Sequence, residues 1–233
     1  MIHKNHIMNR VYILLILLMT GIGMLAQSNV TSEIQIERKI ADLAKRVGDP
    51  AVVTSSFYRI IALEGDNSTY KDSLAYLYFS SRQFAPSFMM ADEVLKRDPN
   101  HKEMREIKAV ALESFGAIDK SAEEYAKLYA LTKNNFHGYN LAKLEFTLKK
   151  YEEAYTTIKE VENLNDSGEY NISFAINQNH SQQVELLAAI SYLKGLIEEE
   201  LDKKAEAKIS YEKSLKIQPD FVLAKEKLEA LNQ

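Results

Sequence analysis

Apolar residues recur along most of this chain at helical spacing, three and four residues apart, and the apolar stretches come in pairs separated by short polar breaks. Read from the far end, Tyr192-Leu193-Lys194-Gly195-Leu196-Ile197 opens one helical pattern. It runs to Leu201, breaks at Asp202-Lys203-Lys204 and resumes from Ala205 to Ile217, before Pro219. Ala207, Tyr211, Ser214 and Leu215 share one face of the second helix. Phe221, Ala224, Leu228 and Leu231 lie on one side of a last helix, with Lys225, Glu226, Lys227 and Glu229 elsewhere.

The same frame fits earlier segments. Leu74, Ala75, Tyr78, Phe84, Ser87, Ala91, Val94, Leu95 and Pro99 make one unit. Ala109, Leu112, Gly116, Ile118, Ser121, Tyr125 and Leu128 make the next, and Leu141, Ala142, Tyr151, Ala154, Ile158 and Val161 another. A more divergent copy begins near Gln35, with Thr54, Tyr58 and Ile61 in its second helix. Small residues such as Ala75, Ser87, Ala142, Ala154 and Ala207 are expected to let paired helices approach, and Tyr58, Tyr125 and Tyr211 to fill the space beside them. Asp49-Pro50 predicts an N-cap followed by a first-turn proline, and Pro86 fits an early helical position. Gly65-Asp66-Asn67, Asp98-Pro99-Asn100 and Gln218-Pro219-Asp220 are turn signals. Turns at Asp66, Pro99, Lys133 and Asp166 are 33, 34 and 33 residues apart.

These residues and this period resemble the tetratricopeptide repeat, a helix-turn-helix unit of about 34 residues. Gly195, Ala207, Tyr211, Ser214 and Pro219 carry the resemblance most specifically. The usual first-helix Trp is absent, with Ser191 in its place, and Glu198 stands where an aromatic is common. The resemblance implies an all-α, right-handed superhelical solenoid of about five repeats, near 35–67, 68–100, 102–134, 135–167 and 188–220. Residues 221–233 then form a capping helix with a polar outer face, as solenoid ends require.

One interval departs from the period: Asp166 to Pro219 is 53 residues. The excess lies near 168–183, where Ile172, Phe174 and Ile176 alternate with Ser173 and Ala175 at a strand period. Two readings stand. One is a long inter-repeat loop, or an extension of the preceding helix, with its apolar residues tucked onto the solenoid. The other is a protruding segment that touches a partner.

The first residues follow a different logic. A weakly basic start (Lys4, Arg10) precedes an apolar run from Val11 to about Ala26, too short to span a bilayer. Residues 1–26 read as a signal peptide cleaved after Ala26, with Met1 or Met8 as the start and a retained N-terminal anchor as the alternative, and 27–34 as a short linker. A periplasmic or secreted location in a bacterial envelope follows. Removing Lys4 and Arg10 from 29 basic residues leaves 27 against 33 acidic ones, a formal charge of −6. That argues against nucleic acid as a partner. The chain has no cysteine, which excludes disulfides, thiolate metal sites and lipid attachment through a cysteine.

No catalytic motif is present: no phosphate-cradling glycine loop, no nucleophile elbow, no paired metal-binding histidines. His101, His137 and His180 have no shared ligand spacing and read as surface or capping residues. Glu198-Glu199-Glu200 and Glu152-Glu153 read as solvated helix faces. No enzyme, cofactor or metal is expected. In proteins similar to this one, first helices of successive repeats line a concave groove for peptides. Carried over, that geometry nominates Tyr76, Phe79, Glu106, Val110, Phe136, Tyr139, Lys143, Phe146 and Tyr192. The clamp of Lys and Asn residues by which some members hold a terminal carboxylate is not matched. The expected function is a non-enzymatic scaffold for a protein or peptide. The alternatives are a subunit of an outer-membrane assembly or secretion complex, docked by its convex face or insertion, and a soluble glycan or small-ligand receptor.

Overall fold

The computed structural model of the protein describes residues 29–164 and 170–232. The expected signal peptide lies outside them. A helix over 29–47 (α1) is followed by α2 (Pro50–Glu64), α3 (Tyr70–Ser80), α4 (Phe84–Arg97), α5 (Lys102–Ser114) and α6 (Ile118–Thr132). Then come α7 (Asn135–Thr147), α8 (Tyr151–Glu162), β1 (Asn171–Ala175), β2 (Ser181–Glu185), α9 (Leu186–Glu200), α10 (Lys204–Ile217) and α11 (Val222–Leu231). Residues 29–34, read from the sequence as linker, are the start of α1.

The helix pairs are joined by one recurring turn. Gly48, Arg82, Gly116, Lys149 and Asp202 all have positive φ, between 55° and 75°. In each case the next residue's N–H reaches back five positions in the chain: Asp49 to Ala44 O, Gln83 to Tyr78 O, Ala117 to Leu112 O, Lys150 to Glu145 O and Lys203 to Glu198 O, at 2.8–3.0 Å. This left-handed closure satisfies carbonyls that the helix end leaves orphaned. Helix starts have their own caps. Asp49 Oδ1 accepts from the N–H groups of Ala51 and Val52, and Asn134 Oδ1 from those of Phe136 and His137.

The described chain divides into two compact units, one ending at Gln83 and one starting at Phe84. The boundary falls in the turn inside the expected 68–100 repeat. In the first unit α2 packs on α3, burying Val53, Phe57, Ile60, Leu74 and Ala75. Here the expected frame is displaced: Phe57 and Ile60 take the core positions, while Tyr58 is 44% exposed and its hydroxyl bonds that of Tyr78 at 3.0 Å. The α1–α2 turn sets the phase of α2, and the sequence offered two adjacent aromatics for one core position.

In the second unit each helix packs on the next, from α4 through α8, then α8 on α9, α9 on α10 and α10 on α11. First helices also meet, α7 against α9. Ala154, Ala207, Tyr125 and Tyr211 are buried at the helix contacts, and Phe221 and Ala224 bury the inner face of α11. Ser121 and Ser214 donate across the pairs to Ala109 O and Ala188 O. Outside the helices, β1 and β2 form an antiparallel hairpin, with Ile172 opposite Val184 and Phe174 opposite Gln182. The strand period at 172–176 therefore governs the described part of this insertion: it is a hairpin where a loop or a helix extension was expected, and Ile172 and Phe174 are packed onto the helices as that reading had them.

Two charged clusters are built into the second unit. Arg105 pairs with Glu124 and the Pro99 carbonyl, while Lys108 bridges Asp92 at 2.7 Å. Glu162 receives Lys194 and Lys213, each at 2.7 Å. Glu198 is only 1% exposed and accepts from Ser210 Oγ at 2.6 Å, so it is not the solvated residue that its acidic run suggested. Its helix turns this position into the α9–α10 contact.

Candidate binding surfaces

Tyr76 and Phe79 lie on α3 and line an open pocket of about 600 Å³ in the first unit. Its floor is apolar, with Val53 and Phe57 from α2 and Leu77 from α3. Lys45 from the last turn of α1 and Asp49 from the α1–α2 connection border it. Asp49 is held by its capping bonds, and the Lys45 ammonium sits 5.0 Å from the Phe57 ring centroid, so the polar rim is fixed by the turn. Tyr76 is 46% exposed. An apolar hollow with an aromatic wall and a few placed polar groups is the usual form of a small recognition site. Val53 and Phe57 lie on α2, a second helix, outside the first-helix positions that the repeat resemblance nominates. The Asp49-Pro50 cap was the legible signal that this turn is rigid.

The remaining nominated residues lie in the second unit, and the structure separates them. Tyr139 and Tyr192 are core residues, 4% and 7% exposed. Gly138 brings α7 so close to its neighbours that an added Cβ would sit 2.3 Å from Val161 Cγ2, which draws Tyr139 inside. Burial raises the Tyr139 phenol well above its ordinary range. Tyr192 is enclosed by Phe174, Tyr211 and Phe221, with ring centroids 4.9–5.8 Å apart. Burial pushes its phenol up to about 12, with Glu199 and Glu226 adding to the effect. Neither ring is a groove surface.

Phe136 is half-buried and stacked on Tyr170, 4.9 Å between centroids, at the foot of the hairpin. Phe146 packs at 5.6 Å on Tyr151. Glu106, Val110 and Lys143 remain partly open on α5 and α7, and the Lys143 ammonium bridges Glu113 at 2.9 Å. His137 lies 3.8 Å from Glu106 and shares a hydrogen bond with Thr132 Oγ1. His101 Nδ1 accepts from the Met104 N–H and caps α5, and His180 lies in the hairpin turn against Asn177. Among the described residues no three His, Cys, Asp or Glu side chains gather as metal ligands. No described helix is long and apolar enough to cross a membrane.

A second apolar surface lies on α1. Ile36, Ile40, Leu43 and Val47 recur at four-, three- and four-residue steps and are 37–71% exposed. Lys39 and Arg46 flank this stripe on the helical wheel.

Comparison with known proteins agrees with the repeat architecture. The family model for the tetratricopeptide repeat matches residues 188–221. No curated protein matches the chain. Among solved structures, that of YrrB, "a TPR protein with an unusual peptide-binding site", aligns with a TM-score of 0.63 at 14% identity, covering 81% of this chain and 88% of that one. MamA aligns with a TM-score of 0.57 at 19% identity, over 70% and 79%. MamA from Desulfovibrio magneticus RS-1 (residues 41 to the end) aligns with 0.61 at 12% identity, over 82% and 97%. At these identities the likeness is one of fold.

Proposed function

We propose that this chain, whose residues 188–221 are a tetratricopeptide repeat and whose fold is that of such repeat proteins, is a non-enzymatic scaffold that captures a partner's peptide segment. The supporting observation is the pocket of about 600 Å³ beside α3, apolar at its floor and walled by Tyr76 and Phe79. Its size and lining suit one or two apolar or aromatic side chains of an extended segment. Rings on a helix present much area at little conformational cost. Lys45 and Asp49 supply polar partners for that segment's backbone. The binding surface proposed here thus keeps Tyr76 and Phe79 and sets aside Tyr139 and Tyr192. The signal-like segment at residues 1–26 supports a location in the bacterial envelope, periplasmic or secreted.

A second reading is favoured by the α1 stripe. A subunit of an envelope assembly would bury Ile36, Ile40, Leu43 and Val47 against its neighbour. Cross-linking capture from native envelope separates the two. Tyr76→Ala, which removes a wall, and Ser80→Trp, which fills the pocket, are both expected to lose a partner that the unaltered protein captures. Leu43→Glu is expected to retain it. Capture kept by both pocket variants and lost by Leu43→Glu would transfer the function to α1.

A further inference from the structure

The hairpin has two outer edges, and the fold treats them differently. Leu186 N–H donates to Tyr170 O, and Ile176 N–H to His180 O, both at 2.9 Å. Even-numbered residues therefore carry the ladder between β1 and β2, and odd-numbered residues turn their N–H and C=O outward. On β2 those outward groups are met by one side chain. Gln218 Oε1 accepts from the Glu185 N–H at 2.9 Å, and Gln218 Nε2 donates to Gln183 O at 3.1 Å. The carboxamide thus offers β2 the acceptor and donor that a neighbouring strand would offer. Gln182 fastens the same strand to the α10–α11 turn through Asp220 O and the Val222 N–H.

Among the described residues β1 has no such closure. By the register its outward positions are Asn171, Ser173 and Ala175, opposite Glu185, Gln183 and Ser181. All three are exposed, and among the described residues no side chain or backbone group meets their outward N–H and C=O. Edges of this kind are normally blunted by charge, proline or a bulge. The β1 segment Asn171-Ile172-Ser173-Phe174-Ala175 contains no charged residue and no proline, and its register with β2 is unbroken. Its inward side chains are anchored: Phe174 packs on Tyr192 at 5.6 Å and on Phe221 at 5.0 Å between centroids. The edge is therefore held on a fixed platform and is not a free ribbon.

We propose that the outer edge of β1 is a second recognition site, at which an extended peptide segment of a partner adds as a third strand. The chemistry selects that occupant: alternating N–H and C=O groups on a rigid edge are matched by extended backbone. Side chains of the added strand that share the layer of Ile172 and Phe174 point to the helical side, so the segment carries apolar residues at alternate positions. This site belongs to the second unit and does not rest on the pocket beside α3.

The test is selection of a displayed library of random peptides, about eight residues long, on the purified protein, followed by labelled binding of the enriched sequences. Enrichment of alternating apolar sequences is expected, with slowed hydrogen exchange at the Ser173 and Ala175 amides when peptide is added. Ser173→Pro deletes an outward N–H that the hairpin ladder does not use, and is expected to weaken binding about tenfold or more. Ser173→Thr and Tyr76→Ala are expected to leave it unchanged. Ala175→Pro serves as a second edge variant, and circular dichroism verifies each fold. Peptides that ignore both proline variants, or that are lost only with Tyr76→Ala, would overturn the proposal. So would a selection without alternating sequences, or proline variants whose only effect is to abolish pairing of the chain with itself.

Discussion

Three tyrosines show how little a residue's type says about its use. Tyr76, Tyr139 and Tyr192 all sit on first helices, yet Tyr76 is exposed and lines a pocket while Tyr139 and Tyr192 are buried. The other two are enclosed because a neighbouring helix or the hairpin closes over them, which is not written in their own helical turns. Glu198 makes the same point for charge. Burial holds its carboxyl above the ordinary range, Ser210 and Lys194 pull the other way, and Glu162 and Glu206 reinforce the rise. A carboxyl whose folded pKa exceeds its unfolded value binds its proton more tightly in the fold. Its contribution is complete below the unfolded pKa and is lost as pH rises through the raised one. For Glu162 burial also acts upward, but Lys194 and Lys213 outweigh it and hold the carboxyl low. Its contribution is present above the ordinary range and lost as pH falls below it. Glu198→Gln should therefore be at least as stable as the unaltered protein at neutral pH. Urea titrations across the range from acid to neutral should show the difference in stability moving in the variant's favour as pH rises. A difference that stays constant with pH would refute the assignment.

At the scale of helices, close approach is set by glycine and small residues. A Cβ on Gly195 would lie 2.5 Å from Tyr211 Cε1, and the Tyr211 hydroxyl is tied to Glu199, so the ring has little room to yield. Gly195→Ala should cost about 1–3 kcal/mol by overpacking the α9–α10 contact. Chemical denaturation measures it, and an unchanged midpoint would contradict the packing described. Gly195 and Tyr211 were both readable from sequence as signature positions. The recurring helix-pair turn was not. Two of its left-handed residues are glycine, but Arg82, Lys149 and Asp202 occupy the same conformation without glycine's signature. Left-handed backbone at such residues is imposed by the helices on either side, and local composition does not announce it.

For the whole chain, the segment before α1 carries the prediction about where the protein works. If residues 1–26 direct export and are removed, N-terminal sequencing of protein recovered from the producing cell's envelope or medium should begin at Gln27. A product that retains Met1 or Met8 would exclude that cleavage. The helical period, the paired helices and the spacing of their turns were determined by the sequence alone, because amphipathic spacing and caps are local and repeat along the chain. So was the strand character of residues 172–176, which a period of two encodes. Tertiary structure decided which of Phe57 and Tyr58 enters the core, and it placed Glu198 inside and, among the described residues, left the edge of β1 unmet. It also put Phe174 over Tyr192 and hollowed a pocket between α2 and α3. Each of these depends on groups brought together from distant positions, and burial belongs to the assembled contacts, not to any one segment.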